Sequence, residues 1–261
     1  MGAQDIPWLS LGLCFALLAV PLAIFLLFKV KLVKVTAWSV LRMSVQLLMV
    51  GFFLTYLFEW DIPLVTLAWL LVMITFAAFS VVGSTGLKYS RYILPVLLSF
   101  LIAAFLVLLY FNGLVIGLDR LLDARYAIAI AGMLLGNSLG GAIVGIGDFY
   151  KSIKRDDNRY HYSLAAGATR FEALAPYLRG GMVMALKPAL ANMATMGLVF
   201  LPGMMTGQIL SGEDPLLAVK YQIAIVIAIF VCITITVALS ILFTARLSFD
   251  GYGVLREDIF R

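Results

Sequence analysis

Apolar residues run almost unbroken for about 20 positions at a time along this chain, and short polar stretches separate the runs. A helix rises 1.5 Å per residue, so about 20 residues cross roughly 30 Å of hydrocarbon. Seven such runs can be drawn, at 8–28, 37–58, 62–82, 93–113, 126–146, 182–210 and 219–245. The pattern predicts an all-α, polytopic membrane bundle of about seven transmembrane helices. The first run is too long for a signal-peptide core, has no basic stretch before it and no small-residue cleavage site after it, so a retained helix is expected.

Composition agrees: 63% of the 261 residues are hydrophobic, 13% are charged and the mean hydropathy is +1.06. These values lie outside the range of a soluble globular domain. No linker or low-complexity stretch divides the chain, so residues 1–261 are expected to form one membrane domain. The two cysteines, Cys14 and Cys232, fall inside apolar runs, where a small side chain packs well. The single His161 lies in a polar loop with no second histidine or cysteine to build a metal site.

Charge sets the expected orientation. With the amino terminus outside, every one of the 19 lysines and arginines falls on the cytoplasmic side except Arg120, Arg125 and Lys220, the asymmetry of the positive-inside rule. The carboxyl terminus is then cytoplasmic. Asp5, Glu59, Asp61, Asp119, Asp123, Glu213 and Asp214 fall outside. Topology accounts for the net charge of +5, and no nucleic-acid partner is implied.

The longest polar segment, 148–181, is a cytoplasmic loop in this topology and too short for an ATPase domain. The chain contains no Gly-x-x-x-x-Gly-Lys-Ser/Thr phosphate loop, so any ATP chemistry must come from a partner. Within the segment, Thr169 followed by Glu172 has the capping-box spacing. It predicts a short amphipathic helix at 169–179 with Phe171, Leu174 and Leu178 on one face. Such a helix could lie on lipid headgroups or dock a cytoplasmic ATPase, and composition does not choose between them.

Polar residues inside the runs are the candidates for a substrate pathway. Arg42 and Gln46 share one face of the second run, and Arg42 is close enough to the cytoplasmic edge to snorkel. Asn137 sits within a ladder formed by Gly132, Gly136 and Gly140, with Gly141 and Gly145 one residue round, a spacing that first of all permits close helix packing. The sixth run carries Asn192, Thr195, Pro202, Gly203, Met204, Met205, Thr206 and Gln208. Pro202-Gly203 would kink or break that helix, freeing backbone groups that membranes tolerate only in protein or beside a cavity. Broken helices of this kind build transport sites, and a structural kink is the alternative. Six of the 11 methionines fall in the same run. Packing is their ordinary use. Coordination of a soft metal by Met204 or Met205 is the chemical alternative.

Several stretches resemble the FetB family of ABC-transporter permeases, to which plant aluminium-tolerance membrane proteins are also similar. They are Trp38-Ser39-Val40-Leu41-Arg42 with Gln46 and Gly51; Ala131 through Asn137; Gly167-Ala168-Thr169; and Gly197 through Gly207, continuing through Asp214-Pro215 and Ala218 to Lys220-Tyr221-Gln222-Ile223. The resemblance implies a bacterial inner-membrane permease, exporting iron or another metal. It would work as a homodimer with a separate ATPase subunit, and that subunit would hold ATP and Mg²⁺, with no cofactor on this chain. The plant relatives imply a nucleotide-sugar-like solute as the alternative cargo. The resemblance also implies an ATPase-coupling segment at Gly167, Ala168, Thr169, Arg170, Phe171 and Glu172. Importer permeases carry Glu-Ala-Ala, three residues, then Gly in that loop, whereas here Ala165-Ala166 directly precede Gly167 and the Glu is missing.

A stand-alone, ion-gradient-driven carrier would commonly show intramembrane Asp, Glu or His relays and internal repeats. An intramembrane enzyme would need a nucleophile, a carboxylate pair or a metal cluster at depth. The chain shows neither pattern.

Overall fold

The computed structural model describes residues 7–60, 62–250, 253–256 and 259–260. Asp5, Asp61 and Arg261, assigned above to the membrane edges, lie outside the described residues. Ten α-helices follow in order: α1 Trp8–Ala16, α2 Ala19–Leu27, α3 Val33–Trp60, α4 Pro63–Thr85, α5 Tyr89–Tyr110, α6 Ala124–Arg155, α7 Asp157–Ala165, α8 Arg170–Thr195, α9 Gly203–Leu210 and α10 Pro215–Ser248. A π-helical turn, Phe111–Ile116, extends α5. No strand occurs among the described residues beyond isolated bridges.

Among the described residues, six helical stretches are long and apolar enough to span a bilayer: Trp8–Leu27, Val33–Trp60, Pro63–Thr85, Tyr89–Ile116, Ala124–Arg155 and Pro215–Ser248. The first is loosened at its middle. Pro21 in α2 has no N–H to give to the Leu17 carbonyl, and the 17–18 turn is closed instead by short bonds to Cys14 and Phe15.

The sixth run of the sequence, 182–210, is not one helix. It is split between the end of α8, a non-helical loop at 196–202, and α9. The break comes earlier than Pro202. Gly197 takes φ +84°, a left-handed conformation that glycine adopts readily, and its N–H donates to the Phe200 carbonyl. Pro202, with its φ of −63°, is the N-cap of α9.

The core is built by α4, α5, α6, α8 and α10. Small residues let α6, α8 and α10 meet: Gly141 faces Ile233, and Gly145 faces Val237 and Ala185. Gly136 and Gly140 of the other ladder face open space.

The helix ends sort by charge. At one end lie the α4–α5 turn, the carboxyl ends of α6 and α10, α7 and the start of α8. The chain after α10 ties them together. Lys88 N–H donates to the Ile259 carbonyl (3.0 Å) and Tyr160 Oη to the Gly253 carbonyl (2.7 Å), while Tyr92 Oη lies 3.0 Å from Oγ of Ser248, the last residue of α10 itself. This end gathers Lys88, Arg91, Lys151, Lys154, Arg155, Arg159, Arg170, Arg246 and Arg256. At the opposite end, Asp123 and Asp214 cap α6 and α10, with Asp123 Oδ1 accepting from the N–H of Arg125 and Tyr126, and Asp214 Oδ1 from that of Leu216.

Candidate functional site

The break between α8 and α9 opens a cavity against α6 and α10. Its volume is about 320 Å³, and Met133, Asn137, Asn192, Met193, Met196, Phe200, Pro202, Gly203, Met204 and Gln222 line it. A second space of about 580 Å³ adjoins it across the loop, lined by Met193, Met196, Gly197, Leu201, Pro202, Met205 and Gln222. Gln222 thus touches both, and its buried Oε1 accepts no hydrogen bond from within the chain. Asn137 Nδ2 donates to the Met133 carbonyl at 2.8 Å.

The structure therefore brings together Asn137, Asn192, Pro202, Gly203 and Met204, and sets Met205 in the adjoining space. Thr195 and Thr206 spend their hydroxyls on their own helices, donating to Ala191 and Pro202 carbonyls at 3.0 Å. Gln208 has a buried Oε1 with no partner in the chain but lies outside both linings. Arg42 and Gln46 line a different space, between α3, α4 and α6. Sequence reasoning passed over Gln222 as a site residue. Its signal was a lone amide near the start of an otherwise apolar run.

The lining presents thioethers, amides and aromatic rings, and no carboxylate. Among the described residues no group of three or more His, Cys, Asp or Glu could hold a metal ion. Such a wall suits soft or neutral polar groups better than a bare hard cation.

At the basic end, Thr169 closes the expected capping box. Its Oγ1 accepts from the Glu172 N–H (3.3 Å), while its own N–H and hydroxyl donate to Glu172 Oε2 at 2.8 and 2.7 Å. The same bonds, side chain first, hold the Glu172 carboxyl below its ordinary range. Gly167 precedes the cap at φ +92°, where its left-handed turn ends α7 cleanly. Ala168 N–H donates to the Ser163 carbonyl.

The capped segment is not the short separate helix that the sequence suggests. It is the first part of α8, which continues to Thr195. Gly180-Gly181 does not interrupt it, because Gly181 packs on Gly145. Arg170 is fixed inward, with Nη2 2.7 Å from the Ala245 carbonyl and its guanidinium 4.7 Å from the centre of the Phe249 ring. Phe171 remains 67% exposed, at the rim of a groove of about 490 Å³ that Leu174, Leu178, Ile241 and Leu242 also line. A capped, rigid helix start with an exposed aromatic is a surface that a partner's groove can grip.

Six apolar helical stretches, the closely packed helix bundle and the charge-sorted ends define a multi-pass membrane protein. Residues 8–249 match the family described as Uncharacterised protein family (UPF0014), and the chain belongs to that family. It is 32% identical over 252 residues to UPF0014 membrane protein YjkA of Bacillus subtilis, covering 96% of this chain and 99% of the relative. It is 32% identical over 234 residues to the Probable iron export permease protein FetB of Escherichia coli, 86% of this chain and 85% of that one. Protein ALUMINUM SENSITIVE 3 of Arabidopsis thaliana is 32% identical over 196 residues, 72% of this chain and 67% of the plant protein. No solved structure matches the chain.

Proposed function

We propose that this chain is the membrane-spanning subunit of an ABC-type exporter in a bacterial inner membrane, moving iron or another metal and energised by a separate ATP-binding subunit. The observation that carries the proposal is the similarity, along 86% of the chain, to a relative named for iron export. The basic end, 148–181 included, faces the cytoplasm, as the positive-inside rule requires. There the start of α8 offers Phe171 to the ATPase, and ATP with Mg²⁺ is held by that partner. Two copies of the chain and two ATPase subunits make the working assembly, and the chain itself carries out no ATP chemistry. The cavity at the α8–α9 break is the central stretch of the pathway, where amides and freed backbone groups replace water around the cargo.

The carboxylate-free lining, which neither attracts a bare hard cation nor repels a phosphate, favours a second reading in which the cargo is a nucleotide-sugar-like or other polar solute. Reconstitution of the chain with a P-loop ATPase that co-purifies with it tests both. ATP-dependent accumulation of ferrous ion in inverted vesicles supports the first reading, and accumulation of the polar solute alone moves the assignment to the second. Vectorial transport by the chain alone, driven by a proton or sodium gradient, would overturn both.

A further inference from the structure

A further space lies on the other side of α6 from the α8–α9 cavity. It is a groove of about 710 Å³ between α3, α4 and α6. Its polar groups collect at one end. Arg42 and Gln46 on α3 stand there with Ser80 on α4. From there on the lining is apolar: Met49, Phe76, Val72 and Met73 lead to Phe53 and Trp69, whose ring centres are 4.3 Å apart. Arg42 and Phe53 are separated by about 16 Å along α3 at 1.5 Å per residue. The antiparallel stretch from Ser80 back to Trp69 on α4 has the same length. The groove is thus about as long as one leaflet of hydrocarbon is deep, about 15 Å; it is centred near the middle of α3 and α4, with its polar end toward the basic end of the bundle.

Arg42 makes no ion pair with any described residue and is exposed at that polar end. Arg42 lies about 12 Å along the helix from Lys34, and by extending its stem toward the basic end its guanidinium snorkels toward the lipid phosphates. The floor is left open by glycine: a Cβ on Gly136 would meet nothing within 4 Å, and one on Gly132 would only touch the tip of Met73 at 3.6 Å. A trough about as long as one leaflet is deep, with a lone cation at the end nearer the basic surface and an apolar remainder, is complementary to an anionic amphiphile in both charge and shape.

We propose that this groove binds an acidic phospholipid from the leaflet at the basic end, its phosphate on Arg42 beside Gln46 and Ser80, and one acyl chain laid over Gly136 toward Phe53 and Trp69. The lipid would pack α3, which buries only Leu57 by itself, onto α4 and α6.

Native mass spectrometry of the full-length protein in mild detergent, titrated with phosphatidylglycerol or phosphatidylcholine, tests this. The wild-type chain should retain one phosphatidylglycerol and much less phosphatidylcholine. Arg42→Gln should weaken phosphatidylglycerol retention by about fivefold, and Arg42→Lys should restore most of it. Gly136→Leu, whose side chain enters the open trough, should weaken retention of both lipids. This variant carries the test alone if Arg42→Gln fails to fold by thermal melting. Unchanged phosphatidylglycerol retention in Arg42→Gln and Gly136→Leu would overturn the proposal. So would equal retention of the two lipids by the wild type, or a bound mass equal to a free fatty acid. In native membranes of a Cys14→Ser background, spontaneous disulfide pairing of Gln46→Cys between two copies would overturn it as well, by showing a second chain over the groove.

Discussion

A Cβ built on Gly181 would lie 2.7 Å from the backbone oxygen of Gly145, so α6 and α8 meet backbone to backbone at that point. A backbone oxygen cannot swing away as a side-chain tip can. Gly181→Ala should therefore lower stability by about 1 to 3 kcal/mol despite alanine's better helix propensity. Gly140→Ala, which meets open space, should be neutral or stabilising by up to about 1 kcal/mol. Thermal melting in detergent compares the two.

Phe171→Asp should leave the bundle folded and inserted, since the ring is mostly exposed. It should abolish binding of the ATPase partner and transport-coupled ATP hydrolysis. An aromatic anchor at an interface centre contributes about 2 kcal/mol or more, and an unpaired charge in its place costs further. Pull-down of the ATPase at wild-type level by this variant would move the contact to another segment of the basic end, first of all 83–91.

Thr169→Ala should destabilise the start of α8 by about 0.5 to 2 kcal/mol. The Glu172 half of the box depends on pH. Its carboxyl lies lower in the folded chain than in the unfolded one, so its contribution is complete above the unfolded value and is lost as pH falls through the lowered folded value. Hydrogen-exchange protection at 170–173, taken relative to the intrinsic rate at each pH, should therefore fall only at acid pH in the wild type. In Glu172→Gln the protection should be lower already at neutral pH, without that acid transition.

Gln222→Leu should preserve or raise stability, because it removes a buried oxygen that no group in the chain satisfies, a liability of about 1 to 3 kcal/mol. Transport should nevertheless fall about tenfold or more if that oxygen meets the cargo. Melting and vesicle uptake measured on the same preparation separate these effects.

A cysteine introduced at Asn158, in α7 at the basic end, should react with a membrane-impermeant maleimide in inverted vesicles and not in intact cells. Labelling in intact cells would reverse the orientation.

The long helices were readable because each is a continuous apolar run, and the capping box because Thr169 and Glu172 are three residues apart on the same turn. The break at 196–202 was half readable. Pro202-Gly203 announced it, yet Gly197 executes it, and glycine in a membrane helix signals close packing as often as a stop. Helical spacing placed Arg42 and Gln46 on one face without saying which neighbour that face meets. Only the packing of α3 and α4 on α6 puts them on the opposite side of α6 from Asn137. The ties between the chain after α10 and Lys88 or Tyr160 join residues far apart in sequence, and no local pattern announces them.

The sparse burial of the first three helices has a consequence for how the protein is made. None of the residues of α1 or α2 is buried and only Leu57 of α3 is, so the surfaces that hold the bundle together belong to helices synthesised later. The order of translation runs against the order of packing. The leading helices must enter the bilayer on their own hydropathy and wait there as separate rods, and α3 gains its protein neighbours only once α4 and α6 have followed it out of the ribosome.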